Sequence, residues 1–164
     1  MTKANPLGLI ARFFAVVFCL SLAQEALAAE PIIPGGNART EVRTVVQMFV
    51  SAWNRGNTDA LTNLFTPEGT FTTPRGTKAK GRPAIRTLLT QEQRELYRGT
   101  TLIAQVDAIA FPNPGTAIAR GAYTLHGVNA ASAAEVAAQG IFSFQLTRRG
   151  GSAWRIESAR IFRY

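Results

Sequence analysis

Few side chains in this sequence combine the right chemistry with a setting in which they could act on a bound molecule. Asp107 is the most unusual of them. It lies mid-run between Val106 and Ala108, in an apolar alternating segment. A carboxylate there reads as a general base, or as the partner of Arg120 or Arg160; an outer-face or edge salt bridge is the simpler account and is preferred. Tyr97 and Tyr123 carry hydroxyls able to donate to a ligand, though each also fits an amphipathic position at the rim of a core. His126 is the single histidine. It ends a strand-like run just before Gly127, so it stands at a pocket mouth or in a solvated turn. Among the other acids, Asp59, Glu68, Glu92, Glu95 and Glu135 fall at helix starts, turns or solvent faces and read as structural.

Several chemistries find no residues to carry them. One histidine without a nearby cysteine or carboxylate pair cannot build a metal site. Ser143, Ser158 and the threonines lack the His and acid arrangement that activates a nucleophile. A nucleophile elbow, a phosphate-binding glycine loop and a dinucleotide fingerprint are all missing from the sequence, so no cofactor is expected. The formal charge is +8, but the arginines are scattered over every segment. Nucleic-acid binding wants them gathered on one face with aromatics between, so this charge reads as solubility and weak attraction to anionic surfaces.

The elements that must position these residues follow from periodicity. Val42, Val45, Val46, Phe49, Val50 and Trp53 repeat at the spacing of one buried helical face, which predicts a helix over 40–54. Gly56 suits the left-handed stop of that helix, and Asn57 the cap of a second helix over 58–65. Thr66-Pro67-Glu68-Gly69 reads as a turn, 70–73 as a short β-prone segment and 78–82 as a basic loop. Pro83 suits the first turn of a third helix, whose apolar face holds Ile85, Leu88, Leu89 and Leu96.

Beyond Gly99 the period becomes alternating, with strands predicted over 100–111, 116–126, 140–147 and 154–162. The alanine-rich stretch 127–139 is compatible with a loop, a helical turn or a hairpin tip. Helices followed by an antiparallel meander give an α+β domain with helices on one face of a sheet. In the last strand, strict alternation places Ser158 and Arg160 on the same face as Trp154, Ile156 and Phe162. An arginine facing a core wants an anion or a wet cavity, which hints at a pocket. Ile103, Ile109 and Phe111 alternate with Leu102, Ala104 and Val106, so the first long strand is apolar on both sides and could support a dimer.

The N-terminus is read as a leader. Lys3 and Arg12 flank an apolar run over 13–22 that is too short to span a bilayer, and Ala26-Leu27-Ala28 fits a signal cleavage site. Residues 1–28 are therefore expected to be a secretory signal, 29–39 a flexible lead-in and 40–164 the domain. Removal after Ala28 leaves an exported chain, periplasmic or secreted, with no stable membrane insertion. Cys19, the only cysteine, leaves with the signal, so no disulfide is expected.

The order of elements and four segments resemble the nuclear transport factor 2-like superfamily, in particular its small SnoaL-like and SgcJ/EcaC-type members. The segments are AWNRGN at 52–57, DALTNLFTPEGTF at 59–71, KGRPAIRTLL at 80–89 and WRIESARIFR at 154–163. Many members carry Asp where Asn57 stands; both cap helices well. The resemblance implies a cone-shaped, cystatin-like α+β fold, with three N-terminal helices on a curved antiparallel sheet and a pocket at the wide end. It also implies that the outer sheet face often pairs two subunits.

On that frame the leading expectation is a non-catalytic domain binding a small apolar or amphipathic molecule. Trp53, Phe71, Tyr97, Tyr123 and Phe142 would wall the pocket, with His126 near its mouth and Arg160 as a polar anchor. One alternative is an isomerase, cyclase or lyase of ketosteroid-isomerase type, in which Asp107 abstracts a proton and Tyr123 steadies the oxyanion. The other is a dimeric protein-interaction module. The partners expected are the small molecule and a second copy of the chain, and not nucleic acid.

Overall fold

The computed structural model describes residues 36–128 and 135–164. The expected signal, the lead-in up to residue 35 and the centre of the alanine-rich stretch lie outside these residues. Helix α1 (Gly36–Asn54) buries Val42, Val45, Val46, Phe49, Ala52 and Trp53 along one face. It begins before the expected residue 40 because tertiary contacts extend it. Ala38 is buried, and the Arg39 guanidinium donates to the Ile109 carbonyl at 3.0 Å.

The stop at Gly56 is a double hydrogen-bonded helix end. Asn57 N–H reaches back to Ala52 O and Gly56 N–H to Trp53 O, both at 2.9 Å, with Gly56 at φ 63°. Asn57 Oδ1 then accepts from Ala60 N–H at 2.9 Å and opens α2 (Thr58–Asn63). The helix is shorter than expected because Phe65 already pairs with Ile156 in the sheet.

The rest of the chain is β1 (Phe65–Thr72), β2 (Lys78–Lys80), α3 (Arg82–Glu95), β3 (Thr100–Asn113), β4 (Thr116–Val128), β5 (Glu135–Thr147) and β6 (Arg155–Arg163). The strands form one curved, unclosed sheet in the order β2-β1-β6-β5-β4-β3, antiparallel except where β1 meets β6. The expected turn at 66–69 is a wide bulge inside β1, and the expected basic loop contains β2. There Lys78 and Lys80 face water while Ala79 is buried. Residues 135–139, within the stretch left open by the sequence, belong to β5.

Two single-residue bulges decide which side chains face the helices. In β3 the pairs Val106–Gly121 and Ala108–Arg120 leave Asp107 as the extra residue. In β6 the pairs Leu146–Ile156 and Gln145–Ser158 leave Glu157 extra. Each bulge reverses the parity of the strand beyond it. Ile156, Ala159 and Ile161 therefore face inward, while Arg160 is exposed and Phe162 is 48 % exposed on the outer face. This corrects the reading of Arg160 and Phe162 as companions of Trp154. Strict alternation fails at the bulge.

Candidate functional site

Helices α1 and α3 do not fill the concave side of the sheet. Between them and strands β1, β3, β4, β5 and β6 lies a cavity of about 550 Å³. Its walls are mostly rings. Phe49 and Trp53, one turn apart on α1, face Phe71 of β1, Tyr97 after α3, Tyr123 of β4, and Phe142 and Phe144 of β5. The rings hold one another. Trp53 and Tyr97 have centroids 5.7 Å apart, while Phe49–Phe144 and Phe142–Phe144 both lie at 5.1 Å.

Two glycines seat these rings. A Cβ at Gly140 would stand 2.8 Å from Tyr123 Cε1, and one at Gly121 would stand 2.9 Å from Phe142 Cε1. Gly121 faces Phe142 across the β4–β5 ladder, and Gly140 faces Tyr123. Each aromatic of this pair of rungs thus lies over a residue with no side chain.

The cavity is polar at one end, where Arg75, Glu92, Tyr97, Tyr123 and Arg163 converge. Glu92 is only 8 % exposed. It occupies the last turn of α3, and its backbone carbonyl accepts from Leu96 and Tyr97 N–H. Burial pushes its carboxyl above the usual range, and the nearby Arg75 guanidinium partly opposes that rise. Burial also raises the Tyr97 phenol; the Glu92 charge adds to the rise while Arg75 and Arg163 oppose it. Tyr123 is raised by burial and by Tyr97, again opposed by Arg163. Arg75 and Arg163 are exposed and mark the rim.

Trp53, Phe71, Tyr97, Tyr123 and Phe142 thus stand together around one cavity. Asp107, Arg160 and His126 do not. Asp107 is the bulged residue of β3 and lines an outer-face groove of about 440 Å³ with Arg120, Ser143, Arg160, Ile141 and Phe162. His126 is exposed on β4, in the opposite parity to Tyr123 and Leu125, which are buried. The catalytic pairing of Asp107 with Tyr123 is corrected on the same ground, since the two side chains lie on opposite faces of the sheet.

Glu92, Arg75 and Arg163 were missed by sequence reasoning. For Glu92 a signal existed. It continues the apolar stripe of Ile85, Leu88 and Leu89 at helical spacing, so it had to face where they face. Among the described residues, no three His, Cys, Asp or Glu side chains gather as a metal site would require.

The SnoaL-like domain model matches residues 37–160, and the chain belongs to that family. Among curated proteins none matches it by sequence. Solved structures place the fold in the same group. A cystatin-like domain of unknown function from Nostoc punctiforme is similar at TM-score 0.68 and 22 % identity, over 79 % of this chain and 78 % of that one. A ketosteroid isomerase-like protein from Erwinia carotovora atroseptica is similar at TM-score 0.66 and 14 % identity, over 76 % and 94 %. A type 2 hexachlorocyclohexane dehydrochlorinase (LinA) is similar at TM-score 0.71 and 12 % identity, over 77 % and 85 %. At such identities the likeness shows the nuclear transport factor 2-like fold alone.

Proposed function

We propose that this SnoaL-like domain binds a small, largely apolar molecule carrying one polar group. The observation behind this reading is the cavity itself: about 550 Å³, walled by aromatic rings, with Arg75, Glu92, Tyr97, Tyr123 and Arg163 close enough to influence one another. That volume suits a body of one to three rings. The test is direct, because Trp53 stands in the cavity wall while Trp154 is buried elsewhere, bonded to Glu41. Titrating naphthalene-sized probes into the protein should change the Trp53 emission saturably. Trp53→Phe should remove most of the change while leaving the Trp154 emission. An unchanged wild-type spectrum across a panel of such probes counts against the proposal.

A second reading is favoured by Glu92. A desolvated carboxyl close to the Tyr97 phenol, in a cavity that Tyr123 also lines, suits proton transfer, so a cofactor-independent isomerase or lyase would use Glu92 rather than Asp107 as its base. Export through residues 1–28 and pairing of two copies through the outer sheet face belong to the same proposal. The exposed Ile103, Ile141 and Phe162 on that face support the pairing.

A further inference from the structure

Glu92 presents an unsettled account of hydrogen bonds. Its residue is more than nine-tenths buried and its side chain lines the cavity, yet no described group donates a hydrogen bond to the carboxyl. A carboxylate that a bound molecule shuts off from water without giving it a donor is costly. Its position in the last turn of α3 adds the partial negative charge of a helix C-terminus. Arg75 from the segment after β1 and Tyr97 beyond its own helix interact with it, and Tyr123 from β4, Arg163 from β6 and Glu95 on α3 line the same cavity. The two arginines are exposed at the rim, and none of the five makes a hydrogen bond or ion pair to it. A molecule that fills this end of the cavity and displaces water from the carboxyl must therefore supply the donor itself.

We infer that the cavity selects a molecule bringing a hydroxyl donor to Glu92, an alcohol or phenol on an apolar ring body. This inference rests on the binding reading above and specifies it. Other head groups fit worse. An ammonium would approach Arg75 and Arg163, which share that end of the cavity. A carboxylate would meet the Glu92 charge. An ether or ketone brings no donor for the charged carboxylate; it can pair only with the neutral acid, and so forgoes the stronger charge-assisted bond.

The choice of a donor has a consequence in protons. In the unliganded pocket burial shifts Glu92 toward the neutral acid relative to a carboxyl in water. A hydroxyl donating to Glu92 favours the anion. Hydroxyl binding therefore releases a proton and strengthens as pH rises through the Glu92 titration.

The test uses three matched probes on the full chain: 2-naphthol, 2-methoxynaphthalene and naphthalene. Binding is measured by calorimetry in buffers of different ionisation enthalpy, below the pH at which naphthol itself ionises. The wild type should favour naphthol over the methoxy probe about tenfold or more, as one charge-assisted hydrogen bond supplies. It should also release protons on binding naphthol. Glu92→Gln keeps an acceptor, and should keep part of the preference but lose the proton release. Glu92→Leu should bind all three probes with closely similar affinity.

Equal wild-type affinity for naphthol and its methyl ether overturns the inference while leaving the binding reading intact. So does a preference that survives in Glu92→Leu. If none of the three probes binds, the binding reading fails and this inference fails with it.

Discussion

At Glu92 the helix works against the ionisation of its own side chain. The carboxyl is buried, sits at the negative end of α3 and is opposed chiefly by one exposed cation, Arg75. Its affinity for a proton is therefore higher in the folded chain than in the unfolded one, whose reference value is 4.5. Below that value both states are protonated and Glu92 costs nothing. As pH rises from 4.5 through the higher folded value, the unfolded state loses its proton first and stability falls; above it the full penalty is present. Glu92→Gln cannot ionise, so its stability relative to wild type should improve from acid to neutral pH and then level off. Urea unfolding followed across that range checks this. A difference that stays constant with pH would mean that the folded carboxyl titrates as it does in the unfolded chain.

Among the elements, α1 does more than cover the cavity. Strand β3 ends the sheet, and its outer backbone groups would otherwise stand open to pairing with another chain. Three polar side chains on one side of α1 occupy them. Arg39 donates to Ile109 O and Arg43 to Val106 O, both at 3.0 Å. Asn54 pairs with Leu102 twice, its Nδ2 donating to the carbonyl at 2.9 Å and its Oδ1 accepting from the amide at 2.8 Å. The Asn54 amide acts as a one-residue substitute for a neighbouring strand.

Part of the arginine content is thereby explained as backbone capping. Arg82 does the same at Phe65 O, at 2.6 and 2.9 Å, and Arg155 at Asn63 O. Asn54→Ala should cost about 1 kcal/mol, since its bonds are exposed and water replaces them in part. The sharper outcome is faster hydrogen exchange at the Leu102 amide, with exchange at the centre of β5 unchanged. Uniformly faster exchange across the sheet would mean that Asn54 supports the whole fold rather than the edge.

At the scale of the molecule, the helices and their junction were legible because periodicity and capping act locally. The stop at Gly56 and the cap at Asn57 need only neighbouring residues. The sheet faces were not fully legible. A single extra residue at Asp107 and another at Glu157 reverse every side chain beyond them, and nothing in an alternating pattern announces a bulge. Strict alternation sends Arg160 and Phe162 inward for that reason. By charge Glu92 reads as a solvent-face acid, whereas its place on the apolar stripe of α3 turns it inward.

The same bulge that sends Arg160 outward also builds the outer face. Ala122, Ile141 and Phe162 lie side by side in one row of the sheet. Ile141 is 44 % and Phe162 48 % exposed, and Ile103 on β3 is 56 % exposed. An apolar row of this kind, bordered by Arg120, Ser143 and Arg160, is what a two-fold pairing of sheets would cover. Native mass spectrometry of the wild type should therefore show dimers, and Phe162→Glu should shift the population to monomers. Because Phe162 points away from the cavity, the monomeric variant should still bind naphthalene-sized probes. A wild type that stays monomeric at every concentration removes the dimer. A variant that loses probe binding along with dimerisation would show instead that the cavity needs both copies to hold its shape.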